Sequence, residues 1–130
     1  MNTSNNNVLR MRVAIEYSPS TEEHWARVRA LCLEIVGGQL VSQTCQEVYM
    51  CAAWVDNRDV IGTRCWDTFN TSDVTRTGTR RTPVRGHAYI VRMSAFAIFA
   101  DGYIGQVHLI CSNEMIYQGG GTYSDNGQWC

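Results

Sequence analysis

"SPSTEEHWARVRALCLEIVGG", residues 18–38, is the stretch on which the fold turns. Ser20 and Glu23 have the spacing of a capping box, and Pro19 suits the entry to a helix rather than its interior. Trp25, Val28, Leu31, Cys32 and Ile35 recur at helical period and form one apolar stripe. Glu23 and Arg27 stand four apart on the other side, a favourable pair. Gly37 and Gly38 then stop the pattern. The spacing predicts an amphipathic helix, the only one in the chain. It leaves His24 off the stripe, facing solvent.

Outward from this segment the patterning is β. Upstream, "VLRMRVAIEY" (8–17) alternates Leu9, Met11, Val13 and Ile15 with more polar neighbours, the signature of a strand with one wet face. Residues 1–7, "MNTSNNN", are polar and read as a flexible tail. Downstream, 39–55 reads as a strand or two strands with a bulge, 56–59 as a turn, and 60–69 as the return strand. Residues 70–86 form a long polar loop. Residues 87–100 make the longest strand, Asp101-Gly102 a hairpin turn, and 103–112 its partner. "NEMIYQ" (113–118) adds a short turn, and about 119–130 reads as a second flexible tail.

A chain of 130 residues fits one domain, 1–130, with room for a real core. The net charge is −1, so the molecule as a whole does not attract nucleic acid. All eleven cationic side chains are arginine, each with a planar, bidentate head. Six cysteines stand at 32, 45, 51, 65, 111 and 130. The first residues lack the apolar run of a signal peptide, so reduced thiols and a cytoplasmic location are expected. No CxxC spacing suggests a metal site. No apolar run reaches membrane-spanning length.

The expected fold class is therefore α+β: one main helix packed on a curved, mostly antiparallel sheet, with polar tails at both ends. A cystatin-like cone, a hot-dog fold and a ferredoxin-like variant share that description, and the last would need a second helix.

Four segments carry a resemblance. "GTRCWDTF" (62–69), "TGTRRTPVRG" (77–86), "FAIFADGYI" (96–104) and "MIYQGGG" (115–121) stand in the order of the G-T-H-x-G-x-F, T-G-R-x-V, F-x-F-x-D-G-K-I and L-L-x-Q-L-G motifs of SnoaL-like polyketide cyclases. These lie within the nuclear transport factor 2-like superfamily, and the match covers about half the chain. The resemblance implies a cone around a cavity, a homodimer, and cofactor-free acid–base chemistry of the cyclase, isomerase, dehydratase (lyase) or epoxide-hydrolase kind, in secondary metabolism. The chain departs from the pattern in two places. The family's two N-terminal cap helices have no counterpart, and Ser112 stands where the cyclases often place an acid.

His108 lies among apolar neighbours on its strand and is the leading general acid or base. Asp67, between Trp66 and Thr68, is its expected partner. Tyr89 or Arg92 would steady developing negative charge. Trp54, Trp66, Phe96 and Gln106 would line the pocket for an apolar small molecule. His87, at a strand end, reads as solvated, and Asp101 as a turn residue. Arg76, Arg80, Arg81 and Arg85 place four positive charges in ten residues without an acid among them. That loop suits an anionic ligand, an acidic partner or a phosphate backbone, although single-strand binders interleave aromatics there. No P-loop, dinucleotide fingerprint, Ser–His–Asp signature or HExxH motif is present, which argues against kinases and cofactor-dependent dehydrogenases. Three functions are thus in competition: a small enzyme, a non-catalytic ligand-binding or dimerising module, and an Arg-loop nucleic-acid binder.

Overall fold

A computed structural model describes residues 2–4 and 6–130, with side chains from residue 6 onward; Met1 and Asn5, part of the expected N-terminal tail, lie outside the described residues. The fold is all-β. Among the described residues eleven strands follow one another: β1 (Asn2–Ser4), β2 (Asn7–Ser18), β3 (Glu23–Val36), β4 (Gln39–Ser42), β5 (Cys45–Asp56), β6 (Asp59–Thr71), β7 (Asp73–Thr77), β8 (Ala88–Phe99), β9 (Ile104–Cys111), β10 (Asn113–Gly119) and β11 (Thr122–Gln128). Sheet I has the order β1–β2–β3–β4, with β7 also on β3. Sheet II has the order β11–β10–β8–β5–β6, with β9 also on β8. The two sheets pack face to face, with β2 and β3 over β5, β8 and β9.

The expected helix is the strand β3. Its partner β2 matches it residue for residue, from Ser18↔Glu23 to Asn7↔Glu34. The inner face is His24, Ala26, Val28, Ala30 and Cys32, a period of two in which every member is buried. The helical stripe and this face share only Val28 and Cys32. Long-range pairing decides between them, since two alanines, two leucines and two arginines give the segment ordinary helix propensity. Gly37 and Gly38 have φ of 58° and 79°, as a two-residue hairpin turn of type I′ requires, so they reverse the chain into β4 instead of ending a helix. Asn57-Arg58 and Gly120-Gly121 turn the β5–β6 and β10–β11 hairpins in the same way.

The tails of the expected fold are also strands. Asn2–Ser4 pairs with Asn7–Leu9, and Thr122–Gln128 pairs with β10. The turn expected at 113–118 is β10 itself. The loop expected at 70–86 contains β7, which lies on β3 end to end with β4.

β4 leaves sheet I through Gln43 and Thr44, the β5–β6 hairpin is built into sheet II, and the chain returns through Ser72 to β7. Both crossings hydrogen-bond to Cys32: its N–H donates to the Ser72 carbonyl at 2.9 Å, and its carbonyl accepts from Gln43 N–H at 3.0 Å. All six cysteines are paired, which corrects the expectation of reduced thiols. Cys32–Cys45 ties the sheets together through the core, and both residues are fully buried. Cys51–Cys65 joins directly opposed positions of β5 and β6 on the outer face of sheet II. Cys111–Cys130 holds the C-terminus to β9.

Between the sheets lies a continuous core that includes Leu9, Val28, Val48, Met50, Met93 and Phe99. A cone would hold a hollow there. The inward side chains of two facing sheets fill that space, and the cystatin-like expectation fails for this reason.

Candidate functional site: an arginine and tryptophan cleft

One flank of the sandwich stays open. There β6 edges sheet II, and the segment following β7 edges sheet I. Gly78 N–H donates to the Ala26 carbonyl at 2.9 Å, and His24 and Arg81 exchange two backbone hydrogen bonds of 2.8 and 2.9 Å. Residues 78–81 therefore prolong the line of β7 along β3. Between this line and β6 runs a cleft of about 120 Å³, lined by Ala26, Ala52, Trp54, Gly62, Arg64, Trp66 and Arg81, with Thr63 and Thr79 at its rim.

Its depth has a simple cause. Ala26 on β3 and Ala52 on β5 face each other where larger side chains would meet, so the floor is low. Strand parity supplies the walls: Ala52 and Trp54 point inward from β5, and Gly62, Arg64 and Trp66 from β6. Further along the two edges, Arg76 Nη2 donates to Thr68 Oγ1 at 3.2 Å and bridges β7 to β6. At one end of the cleft the Arg81 guanidinium lies over Gly62, where a Cβ would come within 2.6 Å of Nη2. Gly62 is there for close approach: its missing side chain is the seat of the guanidinium.

The charges of the cleft are unbalanced. Arg64 sits 5.4 Å from the Trp66 ring centre. Neither Arg64 nor Arg81 pairs with a carboxylate among the described residues. Trp54 is 6% exposed, and its indole Nε1 has no hydrogen-bond partner. Behind it sits His24, fully buried, its ring 4.6 Å from Trp54 and 4.4 Å from Tyr89. His24 Nδ1 shares a 2.7 Å hydrogen bond with Tyr123 Oη, and Nε2 has no partner. Burial drives the His24 pKa down to about 4, with Asp56 opposing and Arg81 adding to the shift. The ring is neutral at pH 7.

Comparison with protein-family models, with curated proteins and with solved structures gives no match. The resemblance to the SnoaL-like and nuclear transport factor 2-like proteins is corrected accordingly. With no helix among the described residues and two sheets packed as a sandwich, the chain does not form their cone, and short hairpin motifs such as D-G-x-I recur in unrelated sheets. The attributes that the resemblance carried (polyketide cyclase, isomerase, lyase, secondary metabolism) go with it, and six paired cysteines remove the basis of the cytoplasmic expectation.

Of the expected site residues, Trp54 and Trp66 meet in the cleft. Tyr89 lies behind Trp54, rings 5.6 Å apart, its Oη accepting from Val84 N–H at 2.8 Å. Asp67, Arg92, Phe96, Gln106 and His108 instead face outward on sheet II. His108 and Asp67 stand on β9 and β6 with β8 and β5 between, three strand spacings or roughly 14 Å. They share no proton. His87 Nδ1 meets Asp56 Oδ1 at 2.7 Å. The four arginines of the 76–85 segment disperse: Arg76 bridges β7 to β6 through Thr68, Arg80 stacks 4.0 Å over Trp25, Arg81 enters the cleft, and Arg85 lies beside Gly119.

Sequence reasoning missed Arg64, Gly62, Ala26 and Ala52 as site residues, and placed His24 in solvent. The signal for His24 was present in the alternation His24–Ala26–Val28–Ala30–Cys32, where small residues mark a close-packed face.

Proposed function

We propose that the protein is a non-catalytic binding module, and that its ligand is one planar ring bearing a small anionic group. The observation that carries this is the pair of guanidiniums without carboxylates, set against two indoles over an alanine floor. A drug-sized ligand fills roughly 300–1,000 Å³. A cleft of about 120 Å³ takes a single ring. The half-buried Trp66 indole offers it stacking area, and Trp54 lines the cleft beside it. Arg81 and Arg64 offer a forked contact to a carboxylate or phosphate. The buried Trp54 N–H needs an acceptor, and an anionic oxygen is one.

The acid–base enzyme reading lacks its pair, because His108 and Asp67 are strands apart. A nucleic-acid reading lacks its patch, because the arginines diverge. Three disulfides favour a working environment more oxidising than the cytosol.

Titration with benzoate, indole-3-acetate and phenyl phosphate, followed by tryptophan fluorescence and calorimetry, tests the reading. Saturable binding of at least one is expected. Arg81→Gln removes a charge-assisted contact of about 1.5–3 kcal/mol, so affinity falls roughly 10- to 100-fold. Gly62→Ala keeps the charge but dislodges the guanidinium, and the same direction of change is expected with an unchanged melting temperature. Arg80→Gln, over Trp25, leaves binding unaltered. No saturation with any probe, or Arg81→Gln binding like the parent, would reject the proposal.

A further inference from the structure

One edge of sheet I is left open. β3 covers one side of β2 along its whole length, and β1 covers the other side only opposite Asn7–Leu9. Among the described residues no strand pairs with Arg10–Ser18 on that side. The phase of the ladder decides which groups are left over. The Asn6 carbonyl accepts from Ile35 N–H at 2.8 Å, so even-numbered residues of β2 bond to β3 and odd-numbered ones turn outward. Met11, Val13, Ile15 and Tyr17 therefore present their N–H and C=O groups to the open edge. Their side chains point inward and stand half-buried at the margin of the core. A free edge of this length, without proline or bulge, is a template for another strand.

The edge matches itself. Its midpoint is Ala14, and a two-fold axis there lays Arg10–Ser18 antiparallel on the same residues of a second copy. Met11 then faces Tyr17 of the second copy, and Val13 faces Ile15, so inward side chains meet inward ones. With their symmetric repeats these make four pairs exchanging two hydrogen bonds each, eight in all, and every outward group of Met11, Val13, Ile15 and Tyr17 is satisfied. Moving the axis to Val13 or Ile15 keeps only three pairs. The fourth would fall on Leu9, already held by β1, or on Pro19, which has no N–H. On the outer face the Ala14 register sets Arg12 against Glu16 of the second copy. Arg12 pairs with no carboxylate among the described residues, and it stands directly opposite Arg29 on β3, a like-charge pair. Glu16 is available, since its contact with Arg27 is a loose 3.7 Å between side chains 41% and 45% exposed. A heterologous strand would have to supply this pattern, and the chain already carries it.

We infer that this edge is the interface of a homodimer, in which β2 pairs with β2 of a second copy and sheet I runs through both chains. The contact is isologous, so it closes at two. Eight hydrogen bonds fall within the usual count for an interface, about 10 ± 5, whereas nine residues a side fall well short of the usual ~20–30. The backbone thus supplies most of the attraction, and the dimer is a reversible one, half-associated at about 10–100 µM. The arginine and tryptophan cleft lies at the opposite edge of sheet I, so the inference holds whatever the cleft binds.

Sedimentation equilibrium of the full, disulfide-intact chain between about 5 and 500 µM tests it, together with amide hydrogen exchange at both ends of that range. A concentration-dependent dimer is expected. In it the N–H groups of Met11, Val13, Ile15 and Tyr17 exchange at least tenfold more slowly, while those of Arg12, Ala14 and Glu16, bonded to β3 in either state, are unchanged. Arg12→Glu and Glu16→Arg each weaken association tenfold or more. The two variants mixed in equal amounts associate at least as well as the parent, since every cross-axis contact then sets a glutamate against an arginine. Both side chains lie outside the core, so the variants keep the parent's circular dichroism. A monomer across the range overturns the inference and leaves the edge to some other strand. A dimer that ignores Arg12→Glu, or whose odd-numbered β2 amides exchange as fast as the monomer's, overturns it as well, by placing the contact elsewhere.

Discussion

Replacing Cys32 and Cys45 together with alanine is expected to cost the protein about 3 kcal/mol, the chain-entropy value for a loop of this length. The two residues are 13 apart in sequence, fully buried, and on different sheets. Among the described residues no ladder hydrogen bond joins those sheets, so the bridge supplies a tie that β-pairing does not. Cys51–Cys65 is different. It closes a loop of nearly the same length, 14 against 13, so it constrains the unfolded chain about as much; but it lies on the outer face of sheet II, where truncation to alanine leaves no core cavity. In urea, the Cys32→Ala/Cys45→Ala variant should lose more than Cys51→Ala/Cys65→Ala. Stability of a domain is about 5–15 kcal/mol, so the first variant sacrifices a large share. Equal losses, or the reverse order, would mean that the core closes over the two missing sulfurs without cost.

Acidification from pH 6.5 to 4.5 is expected to destabilise the fold through His24. The ring's folded pKa of about 4 lies below the ordinary 6.5, so the unfolded chain takes up the proton first. The stabilisation from a neutral buried ring is complete above pH 6.5, fades as pH falls toward 4, and changes no further below that. The full span amounts to about 3 kcal/mol. Asp73, Asp101, Glu114 and Asp125 have lowered values, and each loses its contribution as pH falls below the ordinary carboxylate range. Glu47, raised above its ordinary value first by its hydrogen bond with Asp67, gains as pH falls, so it opposes the histidine at the lower end of the window and does so in parent and variant alike. His24→Phe keeps a ring between Trp54 and Tyr89 but forgoes the Tyr123 hydrogen bond. It should be about 1 kcal/mol less stable at pH 7, without the parent's fall in stability from pH 6.5 to 4.5. A parent-like slope in the variant would show that another group titrates there.

Much of the sheet structure was legible and the architecture was not. The alternation of 8–17 and the long apolar run of 87–100 correspond to β2 and β8, and Asp101-Gly102 to a turn. Residues 18–38 misled because two periods share Val28 and Cys32. Only the β2 register, a long-range fact, breaks the tie. Gly37-Gly38 was the local cue available: a pair of glycines between alternating segments is a hairpin signal at least as strong as a helix stop. The disulfides could not be deduced from spacing, since six cysteines permit fifteen pairings. Trp54 and Trp66 were read as sharing a wall because they fall on neighbouring strands, and both line the cleft. Arg64 and Arg81 were not, since their role depends on which sheet edges end up side by side. His108 was singled out for its apolar neighbours, and these form the exterior of sheet II instead of a cavity.

The way sheet I is finished has a kinetic meaning. One edge of β3 is completed by β4 and β7, and the entire β5–β6 hairpin is made between them. The rest of that edge can be covered only after the chain has visited the opposite layer and come back. Early collapse can supply β2–β3–β4 from neighbouring residues, but it leaves Arg27–Leu31 as an open ladder in the meantime. Loop closure must be met before those contacts repay it, so acquisition of the native state should be slow, and the waiting edge is where two incompletely formed chains would join wrongly.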